Sequence, residues 1–220
     1  VLSIVNDKLF FGKKIYIIPK GSLENPQQVF FSLQQENAII EECISEHSLL
    51  SAFHPASLNT IRITMMSNGV STKVIGAFLR MGNNGACIDN AHAGGIFASI
   101  DCKTGQINSD GTTTESNYII IHPYSKLPIK GTQIPCWNAI LQCCDEATLA
   151  NPKTRIVGWD VCVREDETIE IIEGNHGPDI DVLQSPLKIG IRQQINDAMT
   201  QLWHCDLRNY SIKRHRQLYF

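Results

Sequence analysis

Three features that mark particular protein classes are missing from the 220-residue sequence. No apolar run approaches the roughly 18 residues that a membrane-spanning helix needs, so we expect no membrane span. Neither sign of charge is in excess, because 19 basic and 22 acidic residues give a net charge of −3. This balance supplies no basic field for binding nucleic acid. The N-terminal residues also lack the basic start and the cleavage site of a signal peptide.

Paired metal-binding cysteines are missing too, although the sequence has eight cysteines. No two of them form a Cys-x-x-Cys pair, which argues against a zinc knuckle. Most lie within apolar segments, so we expect buried, reduced thiols in a cytoplasmic protein. What is present is an ordinary globular composition, with 43% hydrophobic residues. The length fits one large domain or two small ones.

Hydrophobic periodicity predicts a mixture of strands and helices, hence the α+β class. Asn68-Gly69 marks a turn between two strands, and residues 82–95 are rich in glycine and asparagine, as loops are. Helices are predicted at 25–35, at 137–149 and from Ser185-Pro186 onward. Strands are predicted at 39–44, 59–66, 72–81, 96–100, 118–121, 156–164 and 168–173.

The strongest local pattern is a pair of apolar strands around the polar turn Glu165-Asp166-Glu167-Thr168. If residues 164 and 169 close this hairpin, Asp160 lies directly opposite Glu173. Opposed side chains in an antiparallel pair have Cβ atoms about 4.5–5.5 Å apart. Asn175 lies two residues beyond Glu173 and therefore points to the same face.

Two opposed carboxylates on apolar strands repel each other and need compensation. A basic partner, a shared proton or a divalent cation can supply it. Arg164 has the right parity but lies near the turn. We favour Mg²⁺, because two carboxylates and an amide oxygen are donors that a hard cation prefers. The alternative is an exposed strand end with solvated acids, and a register slip of one residue would move Asp160 to the other face.

Arg62 and Arg80 each interrupt an otherwise apolar strand. An arginine there is seldom buried without an anionic partner. We interpret both as groups that bind an anionic ligand, which the family resemblance described next implies to be a phosphate or an acyl-phosphate, for which bidentate geometry is well suited. The alternative is that they pair with acids on neighbouring strands.

With these residues in view, the chain resembles the sugar-transfer-associated family of the ATP-grasp superfamily. An Asp on one strand followed by Glu-x-Asn at the end of the next resembles the magnesium signature of that superfamily. Six stretches match in order, between about residues 38 and 180: 40–44, 57–63, 79–82, 88–90 with 94–95, 134–137, and 157–160 with 173–175.

The resemblance implies the ATP-grasp fold, with mixed, mainly antiparallel sheets flanked by helices and ATP held between two lobes. Residues 1–44 would then be the end of the N-terminal lobe and the hinge, and residues 45–220 the C-terminal lobe. By similarity, Mg²⁺ is held by Asp160, Glu173 and Asn175. The hinge residues Glu41, Glu42, Cys43 and Ile44 would bind ATP, with the backbone of Glu42 and Ile44 at the adenine edge.

The implied reaction is an ATP-dependent ligation. A small-molecule or sugar-linked carboxylate is activated as an acyl-phosphate, which an amine or another nucleophile attacks. The family name suggests work beside sugar-transfer enzymes, in surface polysaccharide or sugar-conjugate biosynthesis. A glycine-rich phosphate loop is not found before residue 38. We therefore expect a C-terminal portion of a longer enzyme that is itself poorly active. The alternatives are a non-catalytic nucleotide- or glycan-binding module and a metal-dependent hydrolase.

Overall fold

A computed structural model describes residues 44–83, 94–115 and 117–204 in full, and before them only the backbone of three strands. The chain divides into two compact units, Val1–Ser45 and Glu46–Phe220. In its described part, the first unit holds a three-stranded antiparallel sheet of β1 (Leu2–Val5), β2 (Lys8–Phe11) and β3 (Lys14–Ile17). The assignment of residues 1–44 and 45–220 to two ATP-grasp lobes stays a prediction.

The second unit is built on a sheet of seven strands within the described residues, and every paired neighbour is antiparallel. Their order across the sheet is β10-β9-β4-β5-β6-β7-β8. The strands are β4 (Ile61–Ser67), β5 (Thr72–Met81), β6 (Ile96–Ile100), β7 (Gly111–Thr112), β8 (Tyr118–Ile119), β9 (Ile156–Val163) and β10 (Ile169–Asn175). The α+β class is confirmed as far as this mixture of helices and an antiparallel sheet goes.

The turn between β4 and β5 forms as the Asn-Gly pair predicts. Asn68 Oδ1 accepts hydrogen bonds from the backbone N–H groups of Val70 (2.9 Å) and Ser71 (2.8 Å). Gly69 has φ +92°, a conformation that favours glycine. Further along, the predicted strand 118–121 is shorter than expected, because only Tyr118 and Ile119 belong to β8.

The hairpin of β9 and β10 follows two registers instead of the single register expected from the sequence. Ile171 pairs with Val161, whereas Glu173 pairs with Asp160, so Ile172 forms a bulge between them. At the turn, Arg164 N donates to Thr168 O at 2.9 Å, and Glu167 has φ +66°. Residue 164 therefore closes on 168 and not on 169. The bulge compensates for this slip and restores the predicted pairing at Asp160.

Helices cover both faces of the sheet. Successive residues of a strand point to opposite faces and therefore belong to two different apolar clusters. On one face, α2 (Trp137–Ala150) packs over buried residues that include Ile61, Ile63 and Val161. On the other face, Phe78 and Phe97 pack with residues of α3 (Ile180–Gln184) and α4 (Arg192–Trp203). A short α1 (Ser48–Ser51) precedes β4. The cluster of Phe78 lies on the same face as the charged residues described below.

The C-terminal helix begins later than the sequence predicts. Ser185 and Pro186 follow the end of α3, where Ser185 N and Oγ both donate to Asp181 O. Lys188 has φ +53°, and α4 begins only at Arg192. Proline commonly follows a helix end, and the Ser-Pro pair marks such an end here. The predicted buried face is confirmed for Ile191, Ala198, Met199 and Leu202, while Ile195 is half-buried.

Some predictions lie outside the described residues. These are the helix at 25–35, most of the strand and hinge at 39–44, and the centre of the loop at 82–95. Ile44 is described: it is half-buried and belongs to no strand. Within the described part of the chain, no helix combines the length and apolar character that crossing a membrane requires.

Candidate phosphate- and metal-binding site

A row of charged residues runs across four neighbouring strands, β10, β9, β4 and β5, on one face of the sheet. Asp160 on β9 pairs with Glu173 on β10 on one side and with Arg62 on β4 on the other. Directly paired residues point to the same face. Arg62 also pairs with Phe78, and Arg80 lies two residues further along β5. The pairing therefore brings all four charged side chains to one face.

Asp160 holds both arginines. Its Oδ1 accepts from Arg62 Nε, and its Oδ2 accepts from Arg62 Nη2 at 2.7 Å and Arg80 Nη1 at 2.8 Å. Asp160 is only 2% exposed, and the arginine side chains are 11% and 17% exposed. A buried carboxylate is tolerated because charge-assisted, partly bidentate bonds replace its hydration. The geometry fixes two guanidinium groups at one place on the sheet.

Glu173 and Asn175 form the open side of the same group. The Glu173 side chain is 58% exposed, and its Oε1 accepts from Asn175 Nδ2 at 2.9 Å. Arg62 Nη2 lies 4.0 Å from the same Oε1. The two arginines and two carboxylates balance in formal charge. The oxygen atoms of Glu173, which can accept a cation, therefore lie close to the N–H donors of Arg62, which can bind an anion.

The predicted pairing of Asp160 with Glu173 is confirmed, and so is the convergence of Arg62 and Arg80 on the same group. Of the three compensations for the opposed carboxylates, the structure contains the basic partner: Arg62 and Arg80 pair with Asp160, which was the alternative stated for these two arginines. Arg164 pairs instead with Glu170 at 2.5 Å. The sequence held one signal for the contact of Arg62 with Asp160, because each of these residues is a single charge, of opposite sign, in an otherwise apolar strand. The sequence did not reveal that β4 lies beside β9.

Gly158 makes room for Arg62. A Cβ at this position would lie 2.8 Å from Pro178 Cβ and 3.1 Å from Arg62 Cδ. Both distances are shorter than ordinary van der Waals contact, so a side chain here would have to displace the arginine stem or the proline. Gly158 pairs with Thr64 on β4 and with Asn175 on β10. The glycine thus lets the guanidinium of Arg62 reach Asp160 along the sheet face.

The opposite face of the hairpin is fixed by Trp159. Its indole Nε1 donates to Thr148 Oγ1 on α2 at 2.8 Å. Gly174 pairs with Trp159, and a Cβ at Gly174 would lie 2.5 Å from the indole ring. The ring therefore occupies the space above the glycine and ties the end of β10 to the helix. This packing restrains the segment that carries Glu173 and Asn175.

A buried histidine pair lies next to Gly82, two residues beyond Arg80, and the sequence did not predict it. His54 Nδ1 is 2.9 Å from Ser57 Oγ, and His122 Nε2 is 2.9 Å from Gly82 O. Both rings are fully buried. Burial lowers the pKa of His54 and of His122, so both stay neutral near pH 7. Among the described residues, His54 Nε2 has no hydrogen-bond partner.

Asn59 connects the start of β4 to the segment that follows the predicted hinge. Its backbone N donates to Glu46 Oε1 and its Nδ2 to Glu46 Oε2, both at 2.8 Å. Its Oδ1 accepts from Gly82 N at 3.2 Å. This fully buried asparagine thereby fixes Glu46, two residues beyond Ile44. The other predicted ATP-binding residues, Glu41, Glu42 and Cys43, lie outside the described residues.

The cysteines of the described part are free thiols, as expected from the sequence. Burial raises the pKa of Cys144 and of Cys162 to about 12 and that of Cys102 to about 11. Cys136 and Cys143 also have a raised pKa because of burial. A thiol with a raised pKa is a poor nucleophile at neutral pH. These five residues are therefore poor candidates for nucleophiles, and of the five only Cys144 and Cys162 are fully buried, as the sequence led us to expect.

The oxygen donors of the charged row are of the chemical type that a hard cation prefers. Asp160, Glu173 and Asn175 offer carboxylate and amide oxygens, which Mg²⁺ prefers. The amide of Asn175 carries an oxygen in addition to the Nδ2 that donates to Glu173 Oε1. Glu173 is open to solvent, whereas both Asp160 oxygens accept from guanidinium groups. In the described part of the chain, no three His, Cys, Asp or Glu residues are grouped to hold a metal.

A family model matches the chain. The model of the sugar-transfer associated ATP-grasp family matches residues 26–199, which is most of the chain and includes all the site residues above. Searches of curated proteins and of solved structures found no match. Membership implies an ATP-dependent activity of the ligase type. On this match, the chain belongs to the sugar-transfer associated ATP-grasp family.

Proposed function

We propose that the protein is an ATP-dependent ligase that activates a carboxylate as an acyl-phosphate for attack by an amine or another nucleophile. Family membership supports the ATP-dependent part. The observation that carries the proposal is the charged row, in which Arg62, Arg80, Asp160 and Glu173 share one sheet face. Donors for phosphate and oxygen ligands for a cation are therefore adjacent, as phosphoryl transfer requires.

In this proposal, Asp160, Glu173 and Asn175 hold Mg²⁺. When bound, Mg²⁺ offsets the charge of the transferring phosphoryl group. Glu173 is the residue most accessible from solvent, with its side chain 58% exposed. Asn175 orients it through the 2.9 Å bond to Oε1. The packing of Gly174 against Trp159 keeps this end of β10 in place.

Arg62 and Arg80 bind phosphate or acyl-phosphate oxygens. A guanidinium group carries its charge at all working pH values and offers parallel donors that match phosphate geometry. Both groups are held by Asp160, so little conformational entropy is lost when an anion binds them. Arg62 Nη2 lies 4.0 Å from Glu173 Oε1, so the arginine would hold a phosphate beside the carboxylate that would hold the cation.

Residues Glu41, Glu42, Cys43 and Ile44 are proposed to bind the nucleotide at the hinge, with the backbone of Glu42 and Ile44 at the adenine edge. Asn59 supports this part indirectly, because it fixes Glu46 immediately after that segment. The substrate is proposed to be a small-molecule or sugar-linked carboxylate. The family description favours a role beside sugar-transfer enzymes, in polysaccharide or sugar-conjugate biosynthesis.

Replacement of Glu173 tests the proposal. We expect Glu173→Gln to abolish Mg²⁺-dependent binding of a non-hydrolysable ATP analogue, and Mg²⁺-dependent phosphate release with a carboxylate acceptor. The matched control is Glu170→Gln on the same strand, whose carboxylate pairs with Arg164. The control should retain binding and turnover. Isothermal titration calorimetry and a phosphate-release assay measure both variants.

Two results would contradict the proposal. Full turnover by Glu173→Gln would remove Glu173 from the metal site. Phosphate release from ATP at the same rate without any carboxylate acceptor would favour a hydrolase. Thermal melts complete the test: the exposed Glu173 is worth about 0–1 kcal/mol to stability, so a binding defect in this variant reflects the site and not unfolding.

A further inference from the structure

Asp160 has two tasks that compete for the same oxygen atoms. The proposed function requires it to bind a cation. In the structure, however, Oδ1 accepts from Arg62 and Oδ2 accepts from both Arg62 and Arg80. The side chain is 3% exposed, so no further face of the carboxylate is open to solvent. A cation that coordinates Asp160 must therefore replace at least one of these hydrogen bonds.

Charge makes this replacement unfavourable in the free protein. The two guanidinium groups cannot release a proton at any working pH, so they remain positive beside an arriving cation. Screening by water is weak at this buried position, which strengthens the repulsion. Glu173 and Asn175 alone supply one charge and one neutral oxygen. That is too little to hold Mg²⁺ tightly.

We propose that Asp160 is an exchange site. In the free protein it positions Arg62 and Arg80, and it accepts a divalent cation only after a polyphosphate has taken over the guanidinium groups. The inference rests on the proposed function and adds to it the order in which polyphosphate and cation bind. Polyphosphate oxygens replace the carboxylate as acceptors for the arginines, and the carboxylate is then free for the cation. Binding of cation and of polyphosphate is therefore cooperative in both directions.

Removing one guanidinium tests the exchange without any nucleotide. Arg80→Gln leaves Asp160 paired with Arg62 but removes one positive charge and one donor to Oδ2. We expect this variant to bind Mn²⁺, used as the probe, about tenfold or more tightly than the unmodified protein. Addition of Glu173→Gln should cancel the gain. Electron paramagnetic resonance of free Mn²⁺ measures each affinity.

The matched control is Arg164→Gln. Arg164 directly follows β9, the strand of Asp160, but pairs with Glu170, near the turn. Its removal changes the net charge of the protein by the same amount and should alter Mn²⁺ affinity by no more than about twofold. An equal gain in both variants would overturn the inference, because the effect would then be one of overall charge.

A measurement on the unmodified protein covers the case in which Arg80→Gln does not fold. The side-chain ¹⁵Nε resonance of Arg62, assigned by its loss in Arg62→Lys, reports the bond to Asp160. We expect Mg²⁺ alone to leave it unchanged, and Mg²⁺ with inorganic tripolyphosphate to shift it. A shift with Mg²⁺ alone would overturn the inference.

Failure of this inference and failure of the proposed function give different results. If Arg80→Gln gains no Mn²⁺ affinity while the ATP analogue still binds through Glu173, the exchange is wrong and the function stands. If the exchange occurs with tripolyphosphate but no ATP analogue binds, the function is wrong and the exchange stands. Absence of both the affinity gain and analogue binding would overturn both.

Discussion

The two ends of the hairpin formed by β9 and β10 each hold an arginine–carboxylate contact, in very different surroundings. Near the turn, Arg164 and Glu170 are 2.5 Å apart, with side chains 29% and 42% exposed. At the far end, Asp160 binds Arg62 and Arg80 with its side chain 3% exposed. The contact near the turn joins two strands that are consecutive in sequence. The contact at Asp160 joins β9 to β4 and β5, whose Arg62 and Arg80 lie 98 and 80 positions from Asp160 in sequence.

Burial, and not the hydrogen-bond distance, decides what these contacts do. An exposed ion pair is worth about 0–1 kcal/mol, because water and salt solvate the separated charges almost as well. At a buried contact, loss of one partner leaves the others without solvent or a counter-charge. We therefore expect removal of a partner to cost much more at the Asp160 group, which links β4, β5 and β9, than at the pair near the turn.

The largest expected effect is that of Asp160→Asn. We expect the free energy of unfolding to fall by about 3–5 kcal/mol, because two largely buried guanidinium groups lose their counter-charge. Urea denaturation followed by circular dichroism measures the change. Glu170→Gln is the matched control at the turn end and should cost about 1 kcal/mol or less. Equal losses in the two variants would show that burial does not separate the two contacts.

The same comparison shows which parts of the structure could be predicted from the sequence. Strand periodicity and turn residues are local, and they placed β5 at Thr72–Met81 and β6 at Ile96–Ile100 correctly. The pairing of Asp160 with Glu173 was also predictable, because a short turn joins their strands. Its register near the turn was not, since the closure expected at residues 164 and 169 assumed one continuous register and left out the bulge at Ile172.

Long-range neighbours were beyond the reach of the sequence. Nothing in the periodicity of β4 indicates that it pairs with β9. From the sequence we therefore favoured a bound phosphate, and not Asp160, as the partner of Arg62. The ligand assignment stays a prediction. The buried His54 and His122 were missed for the same reason, because each finds its partners only through the fold. The family resemblance, which the comparison with known families confirmed, was the part of the functional interpretation that did not depend on topology.

A smaller effect is expected at Gly158, where the absence of a side chain leaves room for the buried contact of Arg62 with Asp160. Gly158→Ala places a Cβ 2.8 Å from Pro178 Cβ and 3.1 Å from Arg62 Cδ. We expect it to lower the free energy of unfolding by about 1–3 kcal/mol, as overpacking does. It should also shift the Arg62 ¹⁵Nε resonance. Gly177→Ala is the control, since a Cβ there has no atom within 4 Å apart from those of Gly177 and its two chain neighbours. If both variants leave Arg62 unchanged, Gly158 does not make room for it.

The smallest effect is expected at the turn, where Asp166 is held by local bonds alone. Its pKa is lowered first by the side-chain hydrogen bond from Thr168, at 2.6 Å, and then by the backbone N–H of the same residue. The lowered pKa means that its stabilising effect is present above its ordinary pKa, near 3.8, and is lost as the pH falls through the lowered value.

Thr168→Val removes the hydroxyl donor but keeps the backbone N–H, so we expect the pKa of Asp166 to rise toward its ordinary value. The control is Asp101, whose pKa is lowered chiefly by the backbone N–H of Thr104 and should not change. Carboxyl ¹³C titration by NMR measures both groups. The Arg62 ¹⁵Nε resonance should also stay in place, because the turn bonds are separated from Asp160 by the length of the hairpin. A shift of that resonance in Thr168→Val would mean that the two ends are coupled and that burial alone does not explain their difference.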